Sequence, residues 1–506
     1  MHALKIRFQS FAVKNIHLII GLAVCAPLYF ANALKYSVPM GYAGLFAQMA
    51  KQIAEENFHL PMESPFYGPG GIPFAYPPAG LYMLAIFIKL TGKYFVFLRL
   101  LPPFLGLVSF IPLYYLALEL TKSKVAAVAA IVIAATSPDL YVAHAWAAGI
   151  VRAPAFIFAL TSIYFHLRQI NNPSGPGLVL AGVFFGLTCM SHLMYALFCF
   201  LWIWWWSIFG QNIYQKIRGA LTVSAIGALI ASIWLVPVLI RYGADVFFRA
   251  FDSHGGDALF SFWSDPSVLL RLFLGNFTPI SSYPILLILV LIGTTSMLAR
   301  KNFAFLLLYL AVVLAFPESS RFVFLMGSIA AGLGISALAH GVTGILPVLL
   351  RPVLAVGLLI PIFGAIWWEG YAALSKQTPR LYTTTLDLAE RIQAMMPADQ
   401  TYLALVKQDE AEWMPFLFQR EPAVAQWGSE WLGNYNEQVH FMALFHECEK
   451  DQDWACVQDA LTISSIQPDY LVSYVTDMEL NDNIMLDGRW GQIYENDRYL
   501  FWKIAD

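Results

Sequence analysis

The chain has 506 residues, 58% hydrophobic and only 12% charged, with a formal net charge of −3 and a mean hydropathy of +0.61. Soluble domains carry roughly 25% charged residues, so the deficit excludes an ordinary soluble enzyme and predicts a polytopic membrane protein, with the lipid bilayer as its first partner. The near-neutral charge gives no reason to expect nucleic acid.

Lys5, Arg7 and Lys14 precede the first apolar run, about residues 16–34. No small-x-small cleavage site leading into a soluble domain follows, so the run reads as a retained helix and not a signal peptide. Further apolar segments near 97–120, 125–140, 153–169, 176–193, 194–210, 219–241, 283–299, 303–317, 321–339 and 352–368 bring the expected number of transmembrane helices to about eleven. Residues 77–92 set the parity. Their reach is about 24 Å, short of the roughly 30 Å hydrocarbon core. They open on Pro77-Pro78 and carry Lys89, so they read as a juxtamembrane or re-entrant helix. The short basic connections at Lys122/Lys124, Arg168, Lys216/Arg218 and Arg300/Lys301 then fall inside with the N-terminus. Loops 35–96 and 242–282, and everything after Trp368, fall outside a multi-pass cytoplasmic membrane protein.

The first outer loop holds an amphipathic segment, Gly44–Ala54, expected at the membrane interface. Its carboxylates are Glu55, Glu56 and Glu63, which could act as a base or hold a metal, or could simply be a solvated helix end. Asp139, His144 and Arg152 surround a short outer connection, SPDLYVAHAWAAGIVRAP. Polar residues at membrane depth are costly and usually have a task. Arg152 has the fork geometry for a phosphate, or snorkels. Lys89, Lys93 and Arg99 lie on the outer side and suit a phosphate or anionic lipid head group. His192, in CMSHLMYA, reads as a hydrogen-bonded structural residue. Arg241, Arg249, Asp252 and His254 follow the seventh span, and Pro317, Glu318 and Arg321 form a tight outer turn. Arg241 and Arg321 are further phosphate candidates.

After residue 368 the composition turns polar and a separate α/β or α+β domain is expected. Leu381–Met396 reads as an amphipathic helix, and Thr401–Val406, Pro468–Val475 and Tyr494–Ile504 as strands, the last a single strand or a pair. Cys448 and Cys456 could form a disulfide outside the cytoplasm or stay free; their spacing does not suit zinc. Two Glu–Trp pairs stand in Glu412-Trp413-Met414-Pro415 and Trp427-Gly428-Ser429-Glu430-Trp431. They suit carbohydrate recognition or docking of this domain on the bundle, and docking is the preferred reading.

The order from Tyr36 to Tyr94, an amphipathic helix, a Gly/Pro-rich turn and an apolar helix led by IPFAYPP, resembles the first extracytoplasmic loop of the GT-C superfamily of integral-membrane glycosyltransferases. A Pro at the end of the third span and Arg152 at the opening of the next extend the resemblance. The Glu–Trp segments are similar to an E-W-x-P then Q-G-x-E-W pattern in bacterial membrane proteins related to these enzymes. The resemblance implies a GT-C-like α-helical bundle over 1–368, with its large first loop at 35–96, and an extracytoplasmic domain over 369–506. It implies transfer of a sugar from a polyprenyl-phosphate carrier to an acceptor on the outer face. A carboxylate among Glu55, Glu56, Glu63 and Asp139 would then be base or metal ligand. Arg152, Lys89, Arg99, Arg241 and Arg321 would hold the carrier phosphate, with His144 and His192 beside them. The resemblance implies no definite cofactor, and leaves room for a divalent cation. Where the superfamily expects a loop acid, in the Met40–Gly44 region, this chain has Gly41, Tyr42 and Ala43. Leu193 and Met194 replace the Pro and Glu that often follow the His in related bacterial sequences. A catalytically inactive, carrier-binding paralogue is therefore the alternative. A lipid-linked-sugar transporter ranks third, since the spans hold few ionisable residues. No Walker or GxGxxG loop supports ATP or direct nucleotide-sugar use.

Overall fold

The computed structural model describes residues 15–68, 70–170, 175–209, 211–253, 283–316, 319–344 and 351–505; His254, Pro317 and Glu318 lie outside the described residues. Each apolar segment of the sequence is helical. The helices are α1 (Ile16–Lys35), α4 (Tyr94–Thr121), α5 (Lys124–Ala135), α7 (Gly149–Gln169), α8 (Pro176–Cys189), α9 (Leu193–Ile208), α10 (Ile213–Tyr242), α12 (Tyr283–Ala299), α13 (Phe303–Ala315), α14 (Ser320–Gly344) and α15 (Arg351–Ser375). Among the described residues five helices are each long and apolar enough to cross a bilayer: α1, α4, α7, α10 and α14. Together they make a polytopic membrane bundle. Small residues let its helices touch: a Cβ on Gly293 would lie 1.8 Å from the Ala330 carbonyl oxygen, so α12 and α14 meet backbone to backbone.

The third apolar segment departs from its expected continuous course over 125–140. It breaks after Ala135, and α6 (Pro138–Ala145) leaves at 74° to α5. Pro138 cannot donate to the preceding turn, and Ser137 accepts from Leu140 N at 3.3 Å to start a new helix. Asp139 and His144 thus belong to a separate helix.

The first outer loop builds α2 (Gly44–Glu55), a short antiparallel pair β1 (Glu63–Ser64) with β2 (Ile72–Pro73), and α3 (Ala79–Thr91). Nine of the twelve residues of α2 are buried. The C-terminal region packs on it through Met414–Phe418, and Gln419 satisfies the buried Gln48 amide at 2.9 Å.

That region forms a mixed five-stranded sheet in the order β4-β3-β5-β7-β6, from β3 (Thr401–Leu405), β4 (Glu421–Pro422), β5 (Tyr470–Tyr474), β6 (Trp490–Glu495) and β7 (Tyr499–Ile504). Side chains alternate across it. Tyr402, Tyr470, Val472 and Phe501 join one core with α2, α3 and the helix Thr383–Met395. Leu403, Leu405, Leu471 and Trp502 face a second core under the helices Tyr435–Lys450, Trp454–Ser464 and Met478–Asp487. A disulfide joins Cys448 to Cys456 across the first two of these helices, Cα to Cα 5.4 Å. The sheet therefore shares one of its two cores with the first outer loop.

Candidate functional site

The start of α2 has no capping side chain of its own, since its N-cap is Ala43. The cap comes from the C-terminal region: Glu412 accepts from Gly44 N at 2.8 Å and from Leu45 N at 2.9 Å. A carboxylate suits the exposed N–H groups and positive end of a helix. Trp413 Nε1 donates to Gly41 O at 2.8 Å, and the Tyr67 hydroxyl donates to Glu412 O at 3.1 Å. Burial pushes the Glu412 carboxyl up to about 8, opposed by its backbone N–H partners. Gly41 has φ +68°, and a Cβ there would sit 2.2 Å from the Trp146 ring. Within the Met40–Gly44 region, where the resemblance expects an acid, position 41 is thus a left-handed glycine covered by tryptophan.

One residue on, Tyr42 turns toward the bundle. Arg152, on the first turn of α7, donates from Nη2 to the Tyr42 hydroxyl at 3.0 Å. Arg321, at the start of α14, lies over the rings of Tyr195 and Phe322, 5.3 and 5.1 Å from their centroids. Both arginines act electrostatically on Tyr76 and on Tyr195. Neither forms an ion pair with a carboxylate, and the buried Nε of each has no hydrogen-bond partner, among the described residues. His144 holds this wall in place: one ring nitrogen meets Leu140 O at 2.8 Å and the other the Tyr195 hydroxyl at 2.7 Å. His192 caps α9 by accepting from Met194 N at 3.3 Å, and its ring stands edge-on to Tyr76 and Tyr195.

The outer wall comes from the second Glu–Trp segment. Trp427 stacks on Tyr42 with centroids 4.5 Å apart, and Trp431 packs edge-on to Tyr76 at 6.2 Å. Glu430 lies between them in a 3-10 turn, Ser429–Trp431, and is buried. It accepts from Gly428 N at 2.7 Å and acts on Tyr76. Burial pushes its carboxyl up to about 7. The indole N–H groups of Trp234, Trp427 and Trp431 have no hydrogen-bond partner among the described residues. The arrangement is rich in unpartnered donors, and buried donors are normally paired. An oxygen-rich anion is the ligand such a cluster can satisfy.

The other sequence candidates lie elsewhere. Arg99 donates to Tyr36 O at 3.0 Å, Lys89 to Ala54 O at 3.2 Å, and Arg241 to Pro61 O at 3.3 Å, so these three cations tie down the first loop. Glu55, 3.9 Å from Lys51, is exposed, as are Glu56 and Glu63. Asp139 sits in the first turn of α6. No group of three His, Cys, Asp or Glu side chains placed to hold a metal ion occurs among the described residues. Tyr42, Tyr76 and Tyr195 were not singled out in the sequence. Glu430 was read only with its tryptophan neighbours.

Residues 75–240 match the family of dolichyl-phosphate-mannose-protein mannosyltransferases. No curated protein sequence matches the chain. Its fold is similar to that of the Archaeoglobus fulgidus oligosaccharyltransferase crystallised with Zn and sulfate, at 14% identity and TM-score 0.64 over 96% of this chain and 73% of that one. The oligosaccharyltransferase AglB of the same organism, in complex with an inhibitory peptide and a dolichol-phosphate, gives 14% identity and 0.64 over 92% and 70%. ArnT from Cupriavidus metallidurans, bound to undecaprenyl phosphate, gives 13% identity and 0.59 over 96% and 98%.

Proposed function

We propose, from the GT-C fold that this chain shares with those membrane transferases, that it moves a sugar from a polyprenyl-phosphate carrier to an acceptor on the extracytoplasmic face of the cytoplasmic membrane. The observation that carries the reading is the pair Arg152 and Arg321, facing an aromatic cage with no carboxylate counterion among the described residues. Both guanidinium groups are half-buried with their Nε atoms shielded, and a partly desolvated cation without a counter-charge is costly, so such a pair makes physical sense when an anion fills the site. A phosphate matches the fork geometry of arginine. Dolichol-phosphate and undecaprenyl phosphate in two structural neighbours support a polyprenyl chain behind that phosphate. The basic short connections and the Cys448–Cys456 disulfide support an inside N-terminus and an outside C-terminal region. Arg152 and Arg321 would stabilise the charge that grows on the leaving phosphate, and the cage would orient it.

A second reading, a carrier-binding paralogue without transfer activity, is favoured by Gly41, where Trp146 fills the space an acid would need. Native mass spectrometry of the detergent-purified protein tests the carrier site. Undecaprenyl phosphate is expected to be retained, and Arg152→Ala or Arg321→Ala to weaken it at least about tenfold, in line with losing a charge-assisted contact. Unchanged retention in both variants would remove the site.

A further inference from the structure

Transfer to a hydroxyl leaves a proton to be placed. The acceptor oxygen forms a bond to the anomeric carbon as the bond from that carbon to the carrier phosphate oxygen breaks. The electron pair departs with the phosphate, and the acceptor proton must pass to a base. The first loop offers only exposed carboxylates, Glu55, Glu56 and Glu63. Glu430 is different in each respect that matters. It is buried, it is held by a 2.7 Å bond from Gly428 N, and it acts on Tyr76, which also feels Arg152 and Arg321. Of the tryptophans on either side of it, Trp427 stacks on Tyr42 and Trp431 packs edge-on to Tyr76, so the segment is seated on the residues that Arg152 meets. Trp431, 5% exposed, keeps an indole N–H with no partner among the described residues. That donor points to an oxygen-bearing ligand beside Glu430.

We propose that Glu430 is the base that accepts the acceptor proton, so that the C-terminal region supplies across the fold the carboxylate missing from residues 41–43. This rests on the transferase reading above. After transfer the site holds the carrier phosphate, with its gained negative charge, and a protonated Glu430. Free undecaprenyl phosphate is therefore a product probe, and its binding is linked to protonation of Glu430. The sign follows: raising the pH strips that proton, sets a carboxylate against the phosphate and weakens binding.

Other groups could titrate nearby. The helix Asp245–Asp252, packed on the 3-10 turn, carries Asp245, Arg249 and Asp252, all exposed. The helix Tyr435–Lys450 brings Tyr435 and Glu437, and the first loop brings Tyr42, Tyr67 and Tyr76. The bundle side presents His192, Arg152 and Arg321. All of these are shared by the wild type and a Glu430→Gln variant, as is ionisation of the phosphate itself, so the ratio of the two affinities isolates Glu430.

Undecaprenyl phosphate is titrated into the detergent-purified full chain between pH 6 and 9. The wild-type affinity, divided by that of Glu430→Gln, is expected to fall about tenfold across this range, the order expected for like charges a few ångströms apart. Glu430→Asp keeps a carboxylate and should keep the fall with a displaced midpoint, which serves if the Gln variant does not fold. An identical pH dependence in wild type and Glu430→Gln, or none in wild type and Glu430→Asp, overturns the assignment while the carrier site stands. No binding by any of the proteins overturns the transferase reading and the assignment with it.

Discussion

The two Glu–Trp pairs of the C-terminal region look alike in sequence and do different work. Around Glu412-Trp413 the polar atoms are satisfied: both carboxylate oxygens take backbone N–H groups of α2, and the indole N–H reaches Gly41 O. Around Glu430-Trp431 they are only partly so: the carboxylate takes the N–H groups of Gly428 and of Glu430 itself, but the indole N–H has no partner among the described residues. A closed hydrogen-bond inventory marks a seam that holds two parts together. An open one, near two arginines without carboxylate counterions among the described residues, is what the proposed ligand site requires. The difference also separates stability from function, because the second pair can be changed without opening the seam.

The sharpest test of that contrast is Glu412→Ala. It strands two buried N–H groups at a helix start and should lower the unfolding free energy by about 2–4 kcal/mol, read as a fall in Tm in detergent and faster proteolysis near residue 380. Glu430→Gln keeps an acceptor for Gly428 N and should leave Tm near pH 4.5, before the Glu430 linkage sets in, almost unmoved. Equal losses in the two would erase the distinction. A smaller difference is expected between the tryptophans. Trp413→Phe gives up a made hydrogen bond worth about 1 kcal/mol, whereas Trp431→Phe gives up none and should cost less while altering carrier affinity.

A separate effect is a pH slope. Glu412 and Glu430 titrate at about 8 and about 7 when folded, both raised by burial above 4.5. The folded protein then holds protons that the unfolded chain has released, so stability is greatest below about pH 4.5 for these groups and declines as pH rises toward 8. Glu430→Gln should remove the part of the decline that ends near pH 7 and leave the Glu412 part. Chemical unfolding of both proteins at pH 5, 7 and 8 measures this; identical slopes below pH 7 would deny Glu430 its raised value.

Much of the fold was legible in the chain. Apolar runs located the membrane helices, because the burial of a spanning helix needs only local composition. The helix and strands of the C-terminal region were visible in their periodicity: Leu381–Met396 is helical as Thr383–Met395, and the final segment forms the antiparallel pair Trp490–Glu495 and Tyr499–Ile504. The break at Ser137-Pro138 was less visible, since the hydropathy continues through it and only capping turns the chain. Of the candidate phosphate ligands, Arg152 and Arg321 come together in space, while Arg99, Lys89 and Arg241 bond to loop carbonyls. Charge in an outer loop cannot distinguish these outcomes, because both satisfy a guanidinium or ammonium.

What the sequence by itself determined is the class of protein and the placing of its apolar helices, since both follow from composition and short-range periodicity. The tertiary structure alone decided that α2 is capped by a carboxylate 368 residues away. It alone decided that Gly41 packs under Trp146, and that Glu430, Arg152 and Arg321 all act on one tyrosine, Tyr76. Those are contacts between distant segments, and their energy depends on which buried donors and acceptors meet, information that no local stretch of residues contains.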